Sequence, residues 1–296
     1  MLELTEQQKG VARIYPFRAT PYYLALAESD SPCDPILRQC LPDPQELEPD
    51  AFSCDPFGEN GEAAFCPGVK RRFKDRILVM VSTECALNCR HCTRKNLLGE
   101  RVEIDLPEVL AQVRRHPEIR EVLLSGGDPF MLSDAEILRY VEAFAGLEQI
   151  DAVRIGTRIP VVEPQRITAS LAIALGRTKK VWVNVQFNHP REITEASRQA
   201  CGCFVDAGIP VSNQSVLLKG INDSAETMIA LCAGLQRIRV RPYYVFSCDP
   251  VKGTSHFHVD SEKAREIAQR VAESLGGLAV PKFVCDRPGA LFKQPI

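Results

Sequence analysis

Three cysteines, Cys85, Cys89 and Cys92, stand in the stretch TECALNCRHCTRKN with the spacing C-x3-C-x2-C, and the next cysteine along the chain is Cys201. Metal–sulfur sites that only hold structure together normally use four protein ligands. A three-thiolate site leaves a coordination position open for a substrate or cofactor; in a four-iron cluster, one iron then lacks a protein ligand. The plainer alternative is a zinc site completed by His91 or by a distant cysteine. A second signal is SGGDP, Ser125–Pro129, whose Gly126 and Gly127 would let the backbone approach a bound amino-acid moiety closely. Alone, such a pair is more often just a turn.

These groups need elements to position them. Six short apolar runs rich in β-branched residues read as buried strands: Arg76–Ser82, Glu121–Gly127, Ala152–Thr157, Val181–Phe187, Ile209–Leu218 and Ile238–Phe246. Helical segments lie between them. Ser133 with Glu136 reads as a capping box for Ser133–Ala145, Ile193–Ala207 ends at Gly208, and Ser261–Leu275 ends at Gly276-Gly277. The alternation predicts right-handed βαβ units and a parallel α/β sheet. Six strands predict a partial (βα)6 TIM-like barrel, not a closed eight-fold one. The loops after barrel strands build active sites. The cysteine motif follows the first strand, SGGDP the second, RIPVVEP the third, NHP the fourth and CDPVKG the sixth. Residues 1–70, rich in Pro, Asp and Glu, read as an irregular or helical N-terminal extension to a core of residues 71–296.

Composition narrows the setting. With 296 residues, 45% hydrophobic and 25% charged, the chain fits one large α/β domain with an extension. A net charge of −2 gives no footprint for nucleic acid. The polar start MLELTEQQKG is unlike a secretory signal, and no apolar run reaches membrane-spanning length, so a cytoplasmic protein is expected. Twelve cysteines there are ligands or small buried hydrophobes, not a disulfide framework. The long, irregular spacings of Cys33, Cys40, Cys54 and Cys66 argue against a second metal site.

The cysteine spacing on the loop after the first strand resembles the radical S-adenosylmethionine (SAM) superfamily. From about Phe17 onward the chain resembles the lysine 2,3-aminomutase family within it. The segments TPYYLAL, CRHCTRKN, VLLSGGDP, VRIGTRIPVVEPQRIT, FNHPREITEAS, NQSVLLKGIND, IRVRPYYVFSCD and VCDRPGALFKQP carry the likeness. It implies a radical SAM partial barrel with three cofactors: a [4Fe–4S] cluster on Cys85, Cys89 and Cys92, SAM, and pyridoxal 5′-phosphate (PLP). The implied isomerase interconverts L-lysine and β-lysine through a 5′-deoxyadenosyl radical, fed electrons by a reductant such as flavodoxin or ferredoxin.

The resemblance also implies residue roles. Lys293 would carry PLP, with Arg72 and Arg76 on its phosphate. Read alone, Lys293 is a solvated lysine near the end of the chain and the two arginines a basic strand edge. SAM contacts would come from Ser125, Gly126, Gly127, Asp128, Gln186 and Gln214. Arg94 would bind the substrate carboxylate, and Asp249 with Asp286 the side-chain ammonium. Two neighbouring carboxylates favour a bridging cation; alone, each acid is equally a turn aspartate. Where the family usually has histidine this chain has Gln186, and Phe73 and Phe246 stand where tyrosine is expected. The chain stops at Ile296 and has Ser224 at a family zinc position, so no inter-subunit zinc is expected, and a homo-oligomer, where one forms, would do without it. Two alternatives stay open. One is the same chemistry on another cationic amino acid or on lysine destined for a translation factor; the other is a non-catalytic iron–sulfur electron carrier or regulator.

Overall fold

The computed structural model describes residues 3–58, 65–97, 103–287 and 289–296. Its sheet runs in chain order: β1 (Val69–Phe73), β2 (Arg76–Ser82), β3 (Glu121–Gly126), β4 (Ala152–Thr157), β5 (Val181–Val185), β6 (Val211–Leu217), β7 (Arg241–Ser247), β8 (Lys282–Cys285) and β9 (Gln294–Pro295). Strands β2 to β8 are parallel, while β1 and β9 pair antiparallel at the two edges.

The period-two alternation of a strand sorts its side chains. Val122, Leu124, Val153, Ile155, Val183 and Val185 are buried in the main core. Their neighbours Leu123, Ser125, Arg154, Gly156, Asn184 and Gln186 line a cavity on the other face. The polar set inside the barrel is therefore fixed by register.

Helices α1 (Glu6–Ala12) and α2 (Pro21–Leu24) precede the sheet. Thereafter α3 (Leu106–Arg115) follows β2 and α4 (Asp134–Ala145) follows β3. The short α5 (Ile159–Val162) and α6 (Ala169–Gly176) follow β4, then α7 (Glu195–Asp206), α8 (Ala225–Arg237) and α9 (Ser261–Ser274) follow β5, β6 and β7. The result is six βα units. Ser133 and Glu136 form the expected capping box, and Gly208 takes the left-handed conformation (φ 78°) past α7. Helix α7 starts at Glu195 because Thr194 caps it after a 3-10 turn over Pro190–Glu192. Strand β5 stops short of Phe187, whose backbone N–H donates to the Asn213 side chain and whose carbonyl accepts from Asn213 and Ser215. The seventh parallel strand, β8, was not foreseen; its four residues are too short for a periodicity signal. No helix among the described residues is long and apolar enough to cross a membrane.

The N-terminal segment is folded onto the barrel. Tyr23, Ile36 and Cys40 join the main core. A 3-10 turn over Pro44–Leu47, capped by Asp43, delivers the buried carboxylate of Glu46 to the cysteine loop. Arg90 reaches it through Nε (2.9 Å) and Nη2 (2.6 Å), and Lys95 Nζ at 2.7 Å. Arg90 also donates to the carbonyls of Tyr15 and Pro16, and Lys95 to that of Gly253. Burial lowers the Lys95 pKa, an effect Glu46 opposes. Breaking a buried ion pair by removing one partner costs about 3–5 kcal/mol, because a charge stays uncompensated. Glu46→Ala strands two cations, so we expect its urea unfolding midpoint to fall by at least the equivalent of that cost. A midpoint equal to the parent's would show that this carboxylate does not anchor the loop.

Candidate active site

The barrel interior is a cavity of about 970 Å³. Cys85, Cys89 and Cys92 line it on the loop after β2, as the sequence led one to expect. Burial pushes the Cys85 and Cys92 thiols up, and the neighbouring sulfurs add to that shift. Two donors already face the sulfurs: Arg158 Nη1 on Cys89 Sγ at 2.9 Å and the Arg94 backbone N–H on Cys92 Sγ at 3.3 Å. Among the described residues no three His, Cys, Asp or Glu groups are gathered tightly enough to hold a single metal ion. Cys33 and Cys54 are exposed, Cys40 is buried and Cys66 is half-buried.

Ser125, Gly126, Gly127 and Asp128 line the cavity beside the cysteine loop. The glycines are required there for a reason the sequence did not reveal. A Cβ on Gly126 would come within 2.2 Å of the Ser82 carbonyl, and one on Gly127 within 2.2 Å of that of Glu84. The turn is thus pressed against the chain entering the cysteine motif, with Gly127 N–H donating to Ser82 and Asp128 N–H to Glu84. The Asp128 carboxylate is turned inward. It accepts from Thr157 Oγ1 (2.8 and 2.9 Å) and from the backbone N–H groups of Phe130 and Arg158. Asp128 therefore ties the β3 loop to the β4 loop and offers a ligand little beyond its backbone.

Gln186 and Gln214 line the same cavity. Gln186 Nε2 lies 3.1 Å from His91 Nε2, and burial keeps His91 well below the usual imidazole range. Beside Gln186, Asn184 Oδ1 is buried with no hydrogen-bond partner among the described residues, a cost that a polar ligand donor would remove. That orphan acceptor fits SAM.

At the seam between the sheet edges, Lys293 Nζ donates to Asp286 Oδ1 (2.9 Å) and Oδ2 (3.1 Å), and Arg72 Nη1 donates to Asp286 Oδ2 at 3.0 Å. Phe246 and Phe73 present their rings to Lys293 Nζ at 4.4 and 5.7 Å. The two positions where tyrosine was expected thus flank the same ammonium. Burial lowers the Lys293 pKa, opposed by Asp286, which favours the neutral amine that PLP attachment needs.

Asp249 is half-buried and accepts from Thr93 Oγ1 at 2.5 Å. Burial raises its carboxyl pKa to about 6, with Asp286 adding to the shift. Arg94 lines the cavity next to Thr93. Arg76 also lines it but turns to Asp75 (3.5 Å) and Glu121 (3.7 Å), away from the Asp286 pair. Glu121 is shared with Arg154 at 3.1 Å, and Arg154 Nε is buried without a hydrogen-bond partner among the described residues. Asp75 and Glu121 together balance the two guanidiniums, and the buried Arg154 Nε is the donor left over for a ligand such as a phosphate. Sequence reading missed Arg154, although an arginine in the apolar run AVRIGT, in phase with Gly156, was a readable sign. Thr93 gave no signal.

Residues 79–232 match the radical SAM superfamily. The L-lysine 2,3-aminomutases of Acetoanaerobium sticklandii and Clostridium subterminale are each 40% identical to the chain, covering 98% of it and 72% of their own length. The glutamate 2,3-aminomutase of Clostridioides difficile is 36% identical, covering 98% of the chain and 70% of its own length. Among solved structures, a radical SAM methyltransferase from Sphaerobacter thermophilus superposes with a TM-score of 0.53 at 17% identity, covering 75% of this chain and 69% of that one.

After anaerobic reconstitution we expect Cys85→Ala, Cys89→Ala and Cys92→Ala each to lose the iron–sulfur absorbance, while Cys54→Ala keeps it. Loss of the cluster in the Cys54 variant would reassign the ligands.

Proposed function

The chain belongs to the lysine 2,3-aminomutase family of the radical SAM superfamily, and from that premise we propose that it is an isomerase interconverting L-lysine and β-lysine. The observation that carries this reading is one cavity lined both by the three thiols and by Lys293, Asp249 and Asp286. When bound, the cluster with SAM supplies hydrogen-abstracting chemistry, and PLP supplies the π-system through which nitrogen migrates.

The residues of the chain position, neutralise and exclude. Cys85, Cys89 and Cys92 hold the cluster. Ser125, Gly126, Gly127, Gln186, Gln214 and the backbone of Asp128 hold SAM. Arg72, with Arg76 and Arg154, offers cations to the PLP phosphate. Arg94 takes the substrate carboxylate. Lys293 would hold PLP, and its ammonium would then no longer compensate Asp286. Asp249 and Asp286 then face each other with less compensating charge, and the substrate ammonium takes the place Lys293 vacated. A glutamate side chain at that point would meet two carboxylates, which favours lysine over the acidic substrate of the glutamate relative. Residues 1–70 act as an extension holding the cysteine loop on the core of residues 71–296. This reading needs a low-potential one-electron donor, a flavodoxin or ferredoxin, and a cytoplasmic setting.

The direct test is product analysis under anaerobic, reduced conditions with SAM and PLP. β-Lysine should form from lysine, and product from ornithine, arginine or glutamate with none from lysine would overturn the substrate assignment. The acids set a pH dependence. Asp249 is neutral below about pH 6 and ionised above it, whereas the lysine ammonium stays charged throughout that range. kcat/KM for lysine should therefore rise with pH through about 6. Asp249→Asn should flatten that limb and lower kcat/KM at neutral pH by on the order of tenfold to a hundredfold, the loss of a hydrogen bond to a charged group. An unchanged acid limb in the asparagine variant would exclude Asp249 as its origin.

A further inference from the structure

The β4–α5 loop carries a buried arginine that the aminomutase reading leaves without a role. We propose that Arg158 is a positioning residue that makes the iron–sulfur cluster easier to reduce, through a charge-assisted hydrogen bond to the Cys89 thiolate. This rests on the radical SAM reading above and concerns the electron step that precedes its chemistry.

The geometry holds that guanidinium as a fixed donor. Arg158 is 7% exposed, so its charge is not dissipated in water. Its Nη2 donates to Glu192 Oε1 at 2.7 Å, to Gln39 Oε1 at 2.5 Å and to Tyr23 Oη at 3.1 Å. Its backbone N–H donates to Asp128 Oδ2 at 2.6 Å. Nη2 is thus locked from three sides by the N-terminal segment and the turn after β5, and Nη1 is left pointing at Cys89 Sγ at 2.9 Å. Glu192 cannot fully neutralise the charge. Its Oε1 is shared with Tyr23 and Gln39, and its Oε2 accepts the backbone N–H groups of Asn188 and His189.

Hydrogen bonds to cluster sulfurs, and the net charge around them, set cluster potentials. Reduction adds one electron, from a low-potential one-electron donor, to a centre already carrying three thiolates. A cationic donor on one sulfur stabilises the more negative reduced form more than the oxidised form, so it raises the potential.

The test compares anaerobically reconstituted parent, Arg158→Gln, Arg158→Lys and Tyr23→Phe proteins by one-electron redox titration, with iron content measured on each. Arg158→Gln should shift the reduced-to-oxidised ratio at fixed poise by on the order of tenfold toward oxidised, about 59 mV more negative. Arg158→Lys, which keeps the charge, should fall between it and the parent. Tyr23→Phe removes one of the three anchors on Nη2 and leaves Glu192 and Gln39 in place, so it should lower stability and shift the potential far less than Arg158→Gln does. Parent-like potentials in iron-replete Arg158 variants would overturn the proposal, as would an equal shift in Tyr23→Phe. If the arginine variants hold no iron, the parent labelled with arginine carrying 15N only in its guanidinium decides, because a guanidinium on Cys89 must give a 15N coupling to the reduced cluster in pulsed EPR, and the Arg94 backbone nitrogen on Cys92 then stays unlabelled. Its absence would also overturn the proposal. Product formation from lysine tests the aminomutase reading separately and can hold while this proposal fails.

Discussion

One buried carboxylate, that of Glu46, holds the cysteine loop in place. Arg90 and Lys95 bracket the last cysteine, Cys92, and both end on Glu46 inside the protein. Two cations on one anion leave a net positive charge that would be costly if nothing else shared it. The carbonyls of Tyr15, Pro16 and Gly253 do share it. The loop has little regular structure, so its shape comes from these long-range anchors and not from local propensity. This makes the N-terminal segment part of the site: the turn that supplies Glu46 and the residues Gln39 and Tyr23 that orient Arg158 lie before the first strand.

An open barrel creates a second problem, which the sheet edges solve. Seven parallel strands do not close on themselves, and exposed edges invite pairing with other chains. Antiparallel β1 and β9 cover the two ends, and Asp286 ties them through Arg72 from β1 and Lys293 next to β9. The interior is consequently a space and not the layered side-chain core of a closed eight-stranded barrel. The groups read as cofactor ligands face that space because strand alternation turns their neighbours outward to the helices.

Much of this was legible in the sequence, for identifiable reasons. The strands of the six βα units announced themselves as apolar runs, and Ser133, Glu136 and Gly208 marked helix ends by local chemistry. The candidate cavity residues were legible mainly through the family likeness, which supplied Lys293, Asp249 and Asp286 where composition alone favoured surface groups. What stayed hidden was long-range. Glu46 meets Arg90 across 44 positions, and Arg158 meets Cys89 across 69. A glutamate in a Pro- and Asp-rich segment reads as solvated until the fold brings the cations to it. Asp128 was misleading in the opposite sense, since its position suggested a ligand while its carboxylate serves as an inter-loop tie.

The charges of the cavity fall into two groups. At the sulfur end the Arg158 guanidinium waits beside thiols that become anionic only when they take up iron. At the seam, Arg72 and Lys293 neutralise acids that would otherwise repel each other. The Lys293 ammonium there stands where a ligand's cation would, so the acids are not left facing each other uncompensated. On the proposed reading, cluster assembly would displace protons from the buried Cys85 and Cys92 thiols, and PLP attachment would draw Lys293 away from Asp286 ahead of the substrate. On that reading, cofactor attachment and substrate selection converge on one carboxylate, because Asp286, the acid that would select the substrate, is the one Lys293 holds in the apoprotein.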